Sequence, residues 1–160
     1  MKSSDTYDVS GDASLVCSAP GRAGIIGNPT DMYGGCVLSC SIPERARVRV
    51  AESPELVFQA WGQECRVRSW DDLRLRGDQF DIPRAVLSYL KLPPLTGRFA
   101  YNSEIPIRAG LAGSTALTVA LLQAVLLRLG RAVHRYQLAE MARYIELHYL
   151  RVVCGYQDAY

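Results

Sequence analysis

Apolar and polar positions change their period several times along this chain, and each change marks an element. From Leu15 to Val50 the pattern is short and β-like, interrupted at Pro20-Gly21 and Gly34-Gly35. Within it, Arg45-Ala46-Arg47-Val48-Arg49-Val50 alternates strictly, which predicts a half-exposed strand. Leu56 to Ala60 and Glu64 to Arg68 predict a hairpin around Trp61-Gly62-Gln63. Asp81 followed by Ile82-Pro83 has the form of a cap with proline at an early helical position. Ala85, Val86, Tyr89 and Leu90 then keep helical spacing until Pro93-Pro94. Gly97 to Ile105 returns to strand. Ser114 through Leu129 predicts a helix apolar on nearly every side, hence buried, with Gly130 as its stop. A last helix, Tyr136 to about Leu150, carries Leu138, Met141, Ala142, Ile145 and Tyr149 on one stripe.

Strands followed by helices, without regular βαβ alternation, predict an α+β fold. Residues 1–14 are rich in Ser, Asp and Gly and predict a flexible tail, so the folded domain is expected over residues 15–160. The final Cys154-Gly155-Tyr156-Gln157-Asp158-Ala159-Tyr160 carries no turn residues or polar tail, which predicts continuation into a larger architecture.

Composition changes this picture little. The 160 residues fit one domain, and 49% hydrophobic with 21% charged residues allow a buried core. A net charge of +2, with arginines scattered among Asp and Glu, shows no basic face for nucleic acid or a membrane surface. Five cysteines without CxxC spacing suggest neither a disulfide framework nor a zinc site, and fit reduced thiols in the cytoplasm. The apolar run Ala116 to Leu122 falls short of the ~20 residues that span a bilayer, and the polar, acidic start is not a secretory signal.

Three segments carry candidate chemistry. Glu104-Ile105-Pro106-Ile107-Arg108-Ala109-Gly110-Leu111-Ala112-Gly113-Ser114-Thr115-Ala116 passes from strand through a glycine-bearing loop into the most apolar helix. Free N–H groups and the helix dipole favour a phosphate there, and Ser114 and Thr115 add hydroxyls. The same residues would serve a plain strand-to-helix turn, and no GK[ST] follows as in a Walker A loop. The second segment, Ala19 through Gly35, crowds glycine and proline around Arg22, Asn28 and Asp31: a cation for a transferring phosphoryl group and polar groups for a polyhydroxylated substrate, or else a surface charge and a turn cap. In the third, Glu146 precedes Asp158 by twelve positions; one carboxylate could hold Mg²⁺ and the other act on a hydroxyl. His134 and His148 lack zinc-site spacing and read as surface or satisfied residues.

Taken together and in order, these segments resemble the GHMP kinases, the superfamily of galactokinase, homoserine kinase, mevalonate kinase and phosphomevalonate kinase. Ala19-Pro20-Gly21-Arg22 continuing to Gly27, Asp31 and Gly34-Gly35 is similar to the first family motif. Pro106 with Gly110-Leu111-Ala112-Gly113-Ser114-Thr115-Ala116 is similar to the second, with Gly113 in place of a serine and Thr115 in place of an alanine. Gly27-Asn28-Pro29-Thr30-Asp31-Met32-Tyr33 and Gly155-Tyr156-Gln157-Asp158 look most like the glucuronokinases within that family; galactokinases carry Glu-His where this chain has Asn28-Pro29.

The resemblance implies a ribosomal-S5-like α+β domain, the N-terminal half of a kinase whose C-terminal domain is missing here. It implies ATP at Ser103, Pro106, Ala109, Gly110, Leu111, Ala112, Gly113, Ser114 and Thr115. A sugar or sugar acid is implied at Gly27, Asn28, Asp31 and Tyr33, and Mg²⁺ on Ser114 and Glu146. Asp158 would orient or deprotonate the acceptor hydroxyl and Arg22 would stabilise the γ-phosphoryl group. Galactose, a heptose phosphate or mevalonate as acceptor, or a non-catalytic binding domain, are the alternatives.

Overall fold

The computed structural model describes residues 15–92 and 94–160; the tail expected over residues 1–14 lies outside the described residues. Five strands form one mixed sheet in the order β1-β2-β5-β3-β4. β1 (Leu15–Ile26) and β2 (Leu38–Ala51) pair antiparallel, with Cys17 opposite Val48 and Ala19 opposite Ala46. Register shifts between Pro20 and Arg22, and again between Gly24 and Ile26, bend the distal half of β1. β5 (Gly97–Ser103) lies antiparallel to β2 and parallel to β3 (Leu56–Ala60). β4 (Gln63–Val67) closes the β3 hairpin across Trp61 and Gly62, both with positive φ, as a tight two-residue turn requires.

The alternation expected in Arg45 to Val50 is observed. Ala46, Val48 and Val50 are fully buried, whereas Arg45, Arg47 and Arg49 take the other face. That outer face is laced by ion pairs, among them Arg47 with Glu104, Arg98 with Glu64 and Arg68 with Glu55 at 2.9 Å. Such exposed pairs keep the face wet and add little stability. The inner face supplies the core: Phe58 and Phe99, with ring centroids 5.4 Å apart, meet the helices together with Val48, Val50 and Leu56. Each such side chain contributes about 1.5–3 kcal/mol by leaving water.

Three helices pack there. α1 (Asp81–Tyr89) links β4 to β5. Asp81 does not cap it, contrary to expectation: Phe80 holds the N-cap, and the Asp81 carboxylate instead accepts the backbone N–H groups of Arg76 and Gly77, each at 2.8 Å. The helix stops before the prolines because Lys91 and Leu92 turn left-handed. α2 (Gly113–Arg128) is buried from Thr115 to Leu126 on nearly every side, as its composition predicts. α3 (Arg135–Ile145) is capped by His134, whose Nδ1 accepts the Tyr136 N–H. The helix expected to run to Leu150 changes form at Glu146: residues Glu146–Leu150 make one π-helical turn, which a left-handed Arg151 ends. The five cysteines are free thiols, and among the described residues no helix is long and apolar enough to cross a membrane.

Candidate active site

The site forms where the distal end of β1, the loop before α2 and the segment after α3 converge. Three residues of that loop, Arg108, Gly110 and Ala112, have positive φ of 58°, 71° and 56°. Left-handed residues at alternate positions turn successive N–H groups toward one side, a nest for an anion, and α2 adds its positive dipole end directly afterwards. Two of the three are not glycine, and strained residues of that kind cluster at binding sites and tight turns.

Arg22 ties the three parts together. Its backbone N–H donates to the Leu111 carbonyl at 3.1 Å, Nη1 donates to the Gly110 carbonyl at 2.8 Å, and Nη2 forms a short ion pair with Asp158 Oδ1. Nε is buried with no protein partner. A cleft of about 490 Å³ opens over this group. Of the expected nucleotide residues, Ser103, Pro106, Ala109, Gly110, Leu111, Ala112, Gly113 and Ser114 line it, joined by Arg22, Asn28 and Asp158. Thr115 does not: it is buried, and its hydroxyl donates to Glu146 Oε2 at 2.7 Å.

Glu146 lies beneath the loop, 1% exposed, with Ser114 Oγ donating to Oε1 at 3.1 Å. Burial pushes its carboxyl above the usual range, against the pull of Thr115, Ser114 and Cys154. Burial and the adjacent Glu146 also push the Cys154 thiol up to about 12. A cation would relieve this carboxylate. Ser114 Oγ, having turned its proton to Glu146, keeps lone pairs for one, so hard oxygen donors of the kind Mg²⁺ takes stand together here, although Glu146 itself does not line the cleft. No group of three His, Cys, Asp or Glu side chains that could hold a metal ion gathers among the described residues.

The second segment divides. Asp31 is buried, and its Oδ2 accepts the Gln157 N–H at 3.0 Å while Oδ1 is left without a partner. Gly155 permits this approach, since a Cβ there would stand 2.0 Å from Asp31 Oδ2. Asn28 borders the cleft across a cis Asn28–Pro29 peptide. Tyr33 is 83% exposed and lines neither cavity, and Gly27 and Asp31 lie outside both as well. A second cavity of about 290 Å³ lies on the other side of the Arg22–Asp158 pair, lined by Ser39, Cys40, Gln157 and Tyr160 among others.

Sequence reasoning did not select Trp61 or Gln157. Trp61, at the β3–β4 turn, reaches the rim of the larger cleft and meets Tyr101 edge-on at 6.0 Å. Its signal was an aromatic at the tip of a hairpin; that of Gln157 was an amide beside a candidate carboxylate.

Known proteins resemble this chain in sequence and fold. A model of the GHMP kinases N-terminal domain matches residues 82–160, and a galactokinase galactose-binding signature matches residues 4–52. Galactokinase of Thermosipho africanus is 28% identical over 149 residues, covering 89% of this chain and 41% of its own length. A D-glycero-D-manno-heptose 1-phosphate kinase from Bacteriodes thetaiotaomicron superposes with a TM-score of 0.78 at 25% identity, over 91% of this chain and 52% of that one. Lactococcus lactis galactokinase, solved with galactose, gives 0.78 at 20% identity over 92% and 42%, a likeness of fold. The chain thus spans about two fifths of the length of the curated relative it matches.

Proposed function

This chain belongs to the GHMP kinases as an N-terminal domain of that family, and from that premise we propose that the protein containing it transfers the γ-phosphoryl group of ATP to a hydroxyl of a sugar. The observation that carries the reading is the Arg22–Asp158 pair beside the loop of three left-handed residues. A cation and a carboxylate stand together at the mouth of an anion nest, which is what phosphoryl transfer to an alcohol requires.

In this reading the triphosphate lies against the N–H groups of Arg108 to Ser114, and the adenine meets the apolar rim of Trp61, Ile105, Ile107 and Leu117. Asp158 receives the acceptor hydroxyl and takes its proton as oxygen attacks the γ-phosphorus and the bond to the departing ADP breaks. Arg22 stabilises the charge on the transferring group, and its orphan Nε–H is a donor in reserve. Ser114 and Glu146 would hold Mg²⁺, which when bound offsets charge on the phosphate oxygens. Asp31, with one buried oxygen unpartnered, binds the sugar.

Two acceptors have support. The match of residues 4–52 to a galactose-binding signature favours galactose. The likeness of Gly27 to Tyr33 and of Gly155 to Asp158 to the glucuronokinases favours glucuronate. The test is ADP release by the chain extended to its natural stop codon, with galactose, glucuronate, a heptose phosphate and mevalonate offered in parallel. Turnover of one sugar is expected, and Asp158→Asn lowers kcat on the order of a thousandfold with KM for ATP nearly unchanged. An unaltered kcat removes Asp158 from the chemistry; no turnover of any acceptor removes the kinase reading.

A further inference from the structure

We propose that Gln157 is a sugar-binding and specificity-determining residue, which together with Asp31 reads two hydroxyls of the acceptor. The inference rests on the sugar-kinase reading above and adds a residue and a chemical demand to it.

Gln157 is 8% exposed and Asp31 is 6% exposed. Gln157 Oε1 and Asp31 Oδ1 are both buried with no hydrogen-bond partner. The two residues are in direct contact, because Asp31 Oδ2 accepts the Gln157 backbone N–H at 3.0 Å. More than nine in ten buried polar groups in folded proteins are paired, since an unpaired one forfeits its hydration for nothing. Two orphan acceptors on touching residues are therefore a demand for donors.

An exposed glycine borders the Gln157 acceptor. A Cβ built on Gly24 would stand 3.6 Å from Gln157 Oε1 and 3.8 Å from Asn28 Nδ2, and Gly24 itself is exposed. The missing side chain leaves room beside an amide oxygen and an amide nitrogen. A hydroxyl suits that room: it donates to Gln157 Oε1 and accepts from Asn28 Nδ2. Gln157 also lines the smaller cavity with Arg22 and Asp158, so a ligand touching it is next to the reacting groups.

The chemistry restricts the ligand. A carboxylate has no proton to give and would face the Asp31 carboxylate, so the part of the acceptor that meets Gln157 and Asp31 carries hydroxyls. If the acceptor is a sugar acid, its carboxylate points elsewhere.

The experiment uses the full-length protein, the sugar that turns over, and its monodeoxy analogues. Gln157→Met keeps the volume and removes both amide groups. It is expected to raise KM for the sugar on the order of tenfold, with KM for ATP and the melting temperature unchanged. Wild type should discriminate against one monodeoxy analogue by a similar factor, and Gln157→Met should lose that discrimination. Where Gln157→Met lowers the melting temperature, Gly24→Ala decides: its methyl meets its neighbours at ordinary contact distance, preserves the fold and fills the hydroxyl's place, so the sugar KM rises in the same way. An unchanged sugar KM with intact discrimination overturns this inference alone. Absence of turnover with every sugar in wild type overturns the kinase reading and this inference together.

Discussion

One methyl group at position 155 would collide with Asp31, and the site's precision at the scale of single residues depends on its absence. The carboxylate of Asp31 rests on the bare backbone of Gly155 and holds the N–H of Gln157. Gly155→Ala forces Asp31 aside, breaks that buried hydrogen bond and costs about 1–3 kcal/mol. The urea midpoint of the variant should fall and its sugar KM should rise; an unshifted midpoint contradicts the packing described here. Arg22, Asn28, Asp31, Ser114 and Asp158 could be singled out in the sequence because each sits in a motif whose order along the chain carries the family likeness, and Glu146 through its spacing to Asp158. Gln157 and Trp61 could not, because a side chain's unmet hydrogen bond or its reach into a cleft exists only after folding. Thr115 shows the same limit in reverse: its place in the motif suggests a nucleotide contact, yet α2 turns it inward to hold Glu146.

At the scale of elements, period, turn residues and composition together located β3 to β5 and the three helices and marked Leu15 to Val50 as β-like, and failed where a local polar contact set a boundary. α1 is the clearest case. Arg84 is buried and held by Asp78 at 2.6 Å and by Asp81 at 2.8 Å, so the carboxylate that reads as a cap serves a buried cation and the preceding loop instead. The Arg84 hydrogen bond holds the Asp78 carboxyl below the usual range, with Phe80 N–H assisting against partial burial. A depressed carboxyl adds stability above its unfolded pKa and loses it as pH falls through the folded value. Asp78→Asn should therefore lower the melting temperature most near neutrality, with the gap to wild type closing as pH drops below about 4. A gap constant with pH would remove this pair as the cause. The π-helical turn at Glu146 is the other missed boundary: the apolar stripe continues to Tyr149, so period could not reveal that the carboxylate's partners on α2 coincide with a widened turn.

For the whole molecule, the α+β class followed from element order, whereas the mixed sheet with β3 parallel to β5 did not, since pairing partners leave no mark on a single strand's pattern. Ile25, Ile26, Leu38 and Ile107 are exposed at the end of the sheet and the loop that carry the site. Apolar surface of this kind marks a contact face. The 160-residue chain on its own is expected to self-associate, which light scattering across a dilution series would register as a mass that rises with concentration. A strictly monomeric mass at every concentration would mean that these side chains are tolerated in water.

Arg22 meets Asp158 across 136 positions, and Asp31 meets Gln157 across 126. These are among the costliest loops the chain must close. They concern time as well as space. Among the described residues all five strands lie before residue 104, so they are synthesised while the carboxylate that answers Arg22 has yet to be made. A chain interrupted between Ser114 and Asp158 would hold Arg22 and the loop of left-handed residues without the carboxylate that joins them.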